Sequence, residues 1–202
     1  LQTVRRSGVV IAIDNSGATS VVKEGAVQHR TTNRYDNRGR VAETVAADGQ
    51  MTSFEYDSLG RQVATLGHPQ LASTVGLIVP GNPLVRLRSE TVFSDDGSVE
   101  QQITNIRHYD NGTIDRSAQQ ITSYEYDAAG NTIKVTQSTA GSDLVVSTET
   151  EYDDLGRKIA EIDPVGNRTE YQYDTQGRLR EVILPAVADA SDGGEVSNPV
   201  YT

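Results

Sequence analysis

Apolar and polar residues alternate with a period of two along most of the chain. Thr52, Phe54 and Tyr56 share one face of a short run whose other face carries Ser53 and Glu55; Thr122, Tyr124 and Tyr126, and then Thr169, Tyr171 and Tyr173, repeat the arrangement. Such alternation, rich in β-branched and aromatic residues, predicts half-buried strands. Second strands follow over 40–45 and 157–162, again apolar at alternate positions, and each is closed by a turn at Asp48–Gly49 or Asp163–Gly166. No convincing apolar stripe at helical spacing occurs, so the expected fold class is all-β, built of antiparallel hairpins.

The segments that join the strands are copies of one another. Tyr-Asp-x-x-Gly followed by Arg or Asn occurs five times. The copies place Tyr35, Asp36, Gly39 and Arg40; Tyr56, Asp57, Gly60 and Arg61; Tyr126, Asp127, Gly130 and Asn131; Tyr152, Asp153, Gly156 and Arg157; and Tyr173, Asp174, Gly177 and Arg178. Tyr35 and Tyr56 are 21 residues apart, as are Tyr152 and Tyr173, whereas Tyr126 and Tyr152 are separated by one period plus a five-residue insertion. Weaker copies lie at Ile13–Gly17, Tyr109–Gly112 and Phe93–Gly97. A fixed period of this length is the mark of a repeat architecture.

The residue types explain the unit. Asp can accept backbone N–H bonds two residues ahead, and Gly supplies the positive φ that closes a tight turn. One hairpin is marginal in water, so the hairpins are expected to pair laterally into a larger, curved and spiralling sheet. Tyr56, Tyr126, Tyr152 and Tyr173 should then pack on neighbouring hairpins as a row. The Arg after each Gly should pair with its turn Asp and lie on a Tyr face. The expected organisation is repeat hairpins over residues 1–65, an irregular Pro- and Gly-containing insertion over 66–92, hairpins again over 93–184, and a polar tail over 185–202. Within the insertion, Val75–Val79 reads as a short buried strand. Residues 137–148 read as an extended hairpin.

Composition narrows the function. With 28 acidic and 18 basic residues the formal net charge is −10, which argues against nucleic acid or an anionic membrane surface as a partner. The absence of cysteine removes disulfides, thiolate metal sites and cysteine nucleophiles. No apolar run is long enough to span a bilayer as a helix. The chain starts at Leu1 without an initiator Met or a signal-peptide pattern and reads as a piece of a longer protein. Five identical settings of one carboxylate point to turn capping, not to catalysis. Asp14–Gly17 lacks the spaced acids of a calcium loop. His29, His68 and His108 share no ligand spacing and read as surface residues. Catalytic, metal and cofactor residues are therefore assigned to none. Asn111–Thr113 and Asn167–Thr169 fit the N-glycosylation pattern and fall in turns.

The recurring Tyr-Asp-x-x-Gly-Arg unit resembles the YD repeat of the Rhs family, which includes bacterial Rhs toxins, C subunits of insecticidal toxin complexes, and teneurins. The resemblance covers residues 30–65 and 105–183 best. It implies a spiralling β-sheet that forms part of a hollow shell, a secreted or cell-surface location, and partners consisting of the remaining repeats and an enclosed C-terminal polypeptide. Bacterial members release that polypeptide by autoproteolysis at the end of the repeat region, where paired Asp-Pro-x-Gly motifs flank a tract of aromatic and Gly/Asn residues. Here a single such motif, Asp163–Gly166, sits where other units have a return turn, so no protease role is assigned to it. The alternative is that the Tyr row, with Asp, Asn and Arg beside it, is a carbohydrate-binding or adhesive surface.

Overall fold

A computed structural model describes residues 2–6, 9–13, 19–23, 29–185, 187–188, 196–197 and 200–201, with side chains described over 30–185. The chain divides into two compact units, residues 1–92 with 103–119, and residues 93–102 with 120–202.

The first unit is a run of antiparallel strands. β1 (Gln2–Arg6), β2 (Val9–Ile13), β3 (Thr19–Lys23), β4 (His29–Tyr35), β5 (Val41–Val45), β6 (Met51–Tyr56) and β7 (Gln62–Leu66) each pair with the next. β8 (Gln70–Leu71) leads into a single 3-10 turn at Ala72–Val75, and both β7 and β8 pair with β9 (Leu84–Phe93). β10 (Val99–Tyr109), of which residues 103–109 belong to this unit, pairs with β11 (Ile114–Asp115). The second unit repeats the arrangement with β12 (Gln120–Tyr126), β13 (Thr132–Thr139), β14 (Val145–Tyr152), β15 (Lys158–Ile162), β16 (Arg168–Tyr173) and β17 (Leu179–Ile183). There β18 (Val187–Ala188) pairs with β19 (Val196–Ser197), and β17 pairs with β20 (Val200–Tyr201).

The all-β expectation therefore holds, and the 21-residue period is one hairpin plus its return. The extended hairpin expected over 137–148 is the pairing of β13 with β14. The segment expected to be irregular over 66–92 is irregular only in part, because its last third is the long strand β9. Val75–Val79 is not a buried strand: Ile78 is fully exposed, and the chain there leaves a 3-10 turn whose C-terminal residue, Gly76, has a left-handed backbone. Pro80 and Pro83, which suit a strand only poorly, sit before β9 and leave its ladder intact. Asp14–Gly17 and most of the polar tail, including Asp189–Gly194, lie outside the described residues.

One bulge recurs at the same place in every copy of the Tyr-Asp hairpin. The ladder places Tyr35 opposite Val41 but Arg34 opposite Glu43, so Ala42 is an extra residue. Val63, Ile133, Ile159 and Arg180 are extra in the same way. A bulge of this kind bends its strand and increases the local twist. Pairings on the return side, such as Glu43–Val45 with Met51–Ser53, carry no shift.

The buried apolar residues are few. Among the described residues they are Ala64, Leu66, Ala72, Val85, Ile103, Ile106 and Ala160. Most other strand positions are half-buried, as befits sheets packed by neighbouring strands rather than by a thick interior.

Candidate functional site at the repeat joints

Each turn is assembled from five contiguous residues. The backbone N–H of Asp153 donates to the carbonyl of Arg157 at 2.9 Å, and Gly156 donates to the carbonyl of Asp153 at 2.9 Å. The Asp153 carboxylate accepts the N–H groups of Leu155 and Arg157 through Oδ1, and Arg157 Nε through Oδ2 at 2.7 Å. Asp36 and Asp57 hold Arg40 and Arg61 identically, and Asp174 holds Arg178. Asp127 holds Asn131, whose Nδ2 donates at 2.8 Å. The third loop residue must adopt a left-handed backbone, and Gly60 (φ +87°) and Gly177 (φ +80°) do so without the penalty a Cβ would incur.

These bonds hold the turn carboxyls below the ordinary carboxylate range. For Asp57 and Asp153 the Arg side-chain bond is the largest cause, for Asp127 the Asn131 side chain, and for Asp36 and Asp174 the backbone N–H four residues on.

The same turn closes the return side. Ala46 N–H donates to Gln50 at 2.8 Å and Asp163 N–H to Asn167 at 2.9 Å, with Gly49 and Gly166 completing the loops. Asp163 therefore spends its carboxylate on the N–H groups of Val165 and Asn167 and on Asn167 Nδ2. The weak copy at 93–97 follows the scheme with Ser94 in the Asp position. The copy at 109–112 is shifted by one residue: Tyr109 occupies the Asp position and His108 the Tyr position. Asn111 Oδ1 there accepts the N–H of Thr113.

Repeats are joined by the Arg that follows Gly. At two joints its guanidinium lies over the Tyr ring of the next repeat, with Arg40 Cζ 4.3 Å from the Tyr56 centroid and Arg157 Cζ 4.6 Å from that of Tyr173. The same Tyr hydroxyls donate back across the joint, Tyr56 to the carbonyl of Val41 at 2.8 Å and Tyr173 to that of Lys158 at 2.7 Å. Tyr126 reaches Val99 O likewise at 2.9 Å. Two tasks thus fall on one guanidinium: bracing its own turn Asp and covering the next ring. Tyr152 departs from this scheme. The residue ahead of it is Asn131, too short to cover a ring. Tyr35 is largely exposed, and side chains of the repeat before it lie outside the described residues.

A second device, not foreseen in the sequence, ties alternate strands. Arg88 on β9 donates both terminal nitrogens to Glu55 on β6 at 2.7 and 2.8 Å, and its Nε to Glu90. Arg168 on β16 does the same to Glu151 on β14 and to Glu170. Both bridges pass over an intervening strand exactly where it carries a buried alanine, Ala64 or Ala160. A small residue there lets the fork lie flat and reach a carboxylate two strands away. Hydrogen bonding to Glu55 raises the basicity of Arg88 and lowers the Glu55 carboxyl below its ordinary value. The only foresight the sequence offers is the Glu that precedes Tyr56, Tyr126 and Tyr152, together with the two Arg-x-Glu triplets.

His68 is not a solitary surface side chain: its Nδ1 accepts the N–H of Met51 at 3.1 Å. The His29 side chain lies outside those described. Among the described residues no group of three or more His, Asp or Glu is placed to hold a metal ion, and no helix is long and apolar enough to cross a membrane.

A family model described as RHS Repeat matches residues 35–70 and 152–186. Among solved structures, the chain resembles one in a TcdB2-TccC3-Cdc42 crystal structure, with a TM-score of 0.60 at 14% identity over 96% of this chain and 10% of that one. It also resembles TcdB2-TccC3 without its hypervariable C-terminal region, with a TM-score of 0.57 at 16% identity over 95% of this chain and 9% of that one. At such identity the likeness is one of fold, and the chain spans about a tenth of those chains. No curated protein matches the sequence.

Proposed function

We propose that this chain, which belongs to the RHS-repeat or YD-repeat family, is a wall segment of a β-shell that encloses a C-terminal polypeptide of its parent protein and has a structural, non-catalytic role. The observation that carries the reading is the joint. Its most conspicuous side chains, Arg40 with Tyr56 and Arg157 with Tyr173, face one another instead of converging on a substrate. A chain that spends its guanidinium and tyrosyl groups in linking one hairpin to the next is suited to a continuous wall. Its partners would be further repeats and the enclosed polypeptide, and its setting outside the cell or at its surface.

The carbohydrate-binding alternative finds less support. A sugar stacks on an open ring face and bonds to a free hydroxyl, whereas Tyr56 and Tyr173 each have a guanidinium over the ring and a hydroxyl engaged by a main-chain carbonyl.

The test uses the full-length parent protein with a protease site engineered directly after the repeat region. After cleavage, the C-terminal polypeptide should co-migrate with the repeats in gel filtration, resist added protease, and separate only in denaturant. A polypeptide that leaves on cleavage and is digested as fast as the free form would overturn the proposal.

A further inference from the structure

The joint between Asn131 and Tyr152 differs from the Arg–Tyr joints at Tyr56 and Tyr173 in three linked respects. Asn replaces Arg, so no guanidinium covers the Tyr152 ring. The Tyr152 hydroxyl makes no hydrogen bond of the kind that Tyr56, Tyr126 and Tyr173 donate across their joints. An open cleft of about 580 Å³ occupies this place, lined by Tyr152 together with Glu125, Asp127, Lys134, Glu149 and Glu151.

The turn itself is unaffected. Asn131 satisfies Asp127 as Arg157 satisfies Asp153, and its Oδ1 approaches Gly156 at the distance, 3.8 Å from a Cβ built there, at which Arg40 Nη1 approaches Gly60 and Arg157 Nη1 approaches Gly177. What is missing is the planar cation beyond that point.

We propose that this joint is a docking seat for an arginine side chain presented by another polypeptide. The argument for that occupant is internal to the molecule. At Tyr56 and Tyr173 the corresponding place is filled by a guanidinium held over the ring beside a turn carboxylate. The seat at Tyr152 keeps the ring and the backbone frame and lacks only that group. Its lining suits the same charge, with four carboxylates against the single ammonium of Lys134. Lys134 is itself directed to Glu149 at 2.9 Å, and Glu151 is drawn to Arg168, so neither cation lies on the Tyr152 ring. A planar guanidinium stacks on an aromatic face and forks onto carboxylates at once, whereas an ammonium is a compact, strongly hydrated point charge, so the seat should prefer arginine to lysine. This inference does not depend on the shell reading, since it concerns one joint of this chain.

The test follows the ring and methyl signals of the whole 202-residue chain by NMR while N-acetyl-arginine amide is added. The arginine probe should move the Tyr152 ring signals saturably and leave those of Tyr56 and Tyr173 in place. The lysine analogue should move them less, and the citrulline analogue, equal in shape but uncharged, not at all. Asn131→Arg should fill the seat from within, abolish the response, and bring the Tyr152 signals toward those of Tyr56 and Tyr173. Should Asn131→Arg fail to fold, Tyr152→Leu serves instead, and it must abolish the probe-induced shifts of the methyls of Ile133 and Ile159, which also line the cleft. No response to the arginine probe, an equal response to citrulline, or a response that survives a folded Asn131→Arg or Tyr152→Leu overturns the proposal.

Discussion

If the Arg–Tyr contact links neighbouring repeats, Arg157 and Tyr173 must be energetically coupled, and the size of the coupling can be set in advance. Arg157 contributes two contacts: a charged bond to Asp153 at 2.7 Å inside its own turn, and a guanidinium 4.6 Å above the Tyr173 ring. The side chain is about one-third exposed, so the turn pair is screened and contributes about 0–1 kcal/mol. Stacking on a half-buried ring adds about 0.5–1 kcal/mol. Arg157→Met keeps an apolar stem and should cost about 0.5–2 kcal/mol in all, from these two contributions together. Tyr173→Leu loses the ring and also leaves the Lys158 carbonyl without its 2.7 Å donor, which alone is worth about 1 kcal/mol. Only the stacking is shared, so the double mutant should be more stable than additivity predicts by about 0.5–1 kcal/mol. Urea unfolding followed by far-UV circular dichroism measures all four corners of the cycle. The same cycle on Asn131→Ala and Tyr152→Leu is the control, because no guanidinium covers that ring, and its coupling should be near zero. Equal coupling at the two joints, or none at Arg157–Tyr173, would refute the reasoning.

Acid should weaken the fold. The carboxyls of Asp36, Asp57, Asp127, Asp153 and Asp174 titrate below their unfolded values, so their contribution is fully present above about pH 4 and is lost as pH falls through the depressed folded values. A melting temperature unchanged between about pH 7 and about pH 2 would contradict this. Gly60→Ala should cost about 1–2 kcal/mol although the added methyl meets only Arg40 Nη1, because the backbone at φ +87° penalises any Cβ; thermal melts against the wild-type chain measure it. Ala160→Leu should cost about 1–3 kcal/mol by crowding the strand beneath the Arg168–Glu151 bridge, whereas Ala129→Leu on an exposed turn should stay within about 0.5 kcal/mol; urea titrations of both separate the two cases.

What could be read from the sequence follows the distance over which each feature is determined. Strand alternation and turn chemistry lie within stretches of five to seven residues, and both were legible: Asp, Gly and Arg at fixed offsets dictate the turn almost without regard to the rest of the chain. The ring that each guanidinium covers lies in the next repeat, and periodicity gave the partnership in kind without its direction. The Arg–Glu bridges were not legible at all. Glu55 and Arg88 are separated by 33 residues and a strand, and the cue that permits their contact is a buried alanine between them. The one-residue shift at Tyr109 misled because a Tyr-Asp pair is visible there, while the backbone is governed by where Gly112 falls.

The degenerate copies show how the tasks are divided. Ala46, Ser94 and Tyr109 each stand where Asp stands elsewhere, and each still closes the loop through the same pair of backbone hydrogen bonds. Since all three keep Gly at the third loop position, the left-handed residue is the indispensable part of the turn, and the carboxylate is reinforcement. The position after Gly then has a separate duty that a turn can lose without harm. Arg40 and Arg157 there reach forward to the next ring; Asn131 serves its own turn equally well, approaches the next turn at Gly156, and stops short of the ring. A repeat can therefore be sound as a hairpin while its link to the following repeat is open. Variation at this one position adjusts how firmly successive hairpins are joined, and Asn131 opens a cleft beside Tyr152 without disturbing the strands on either side.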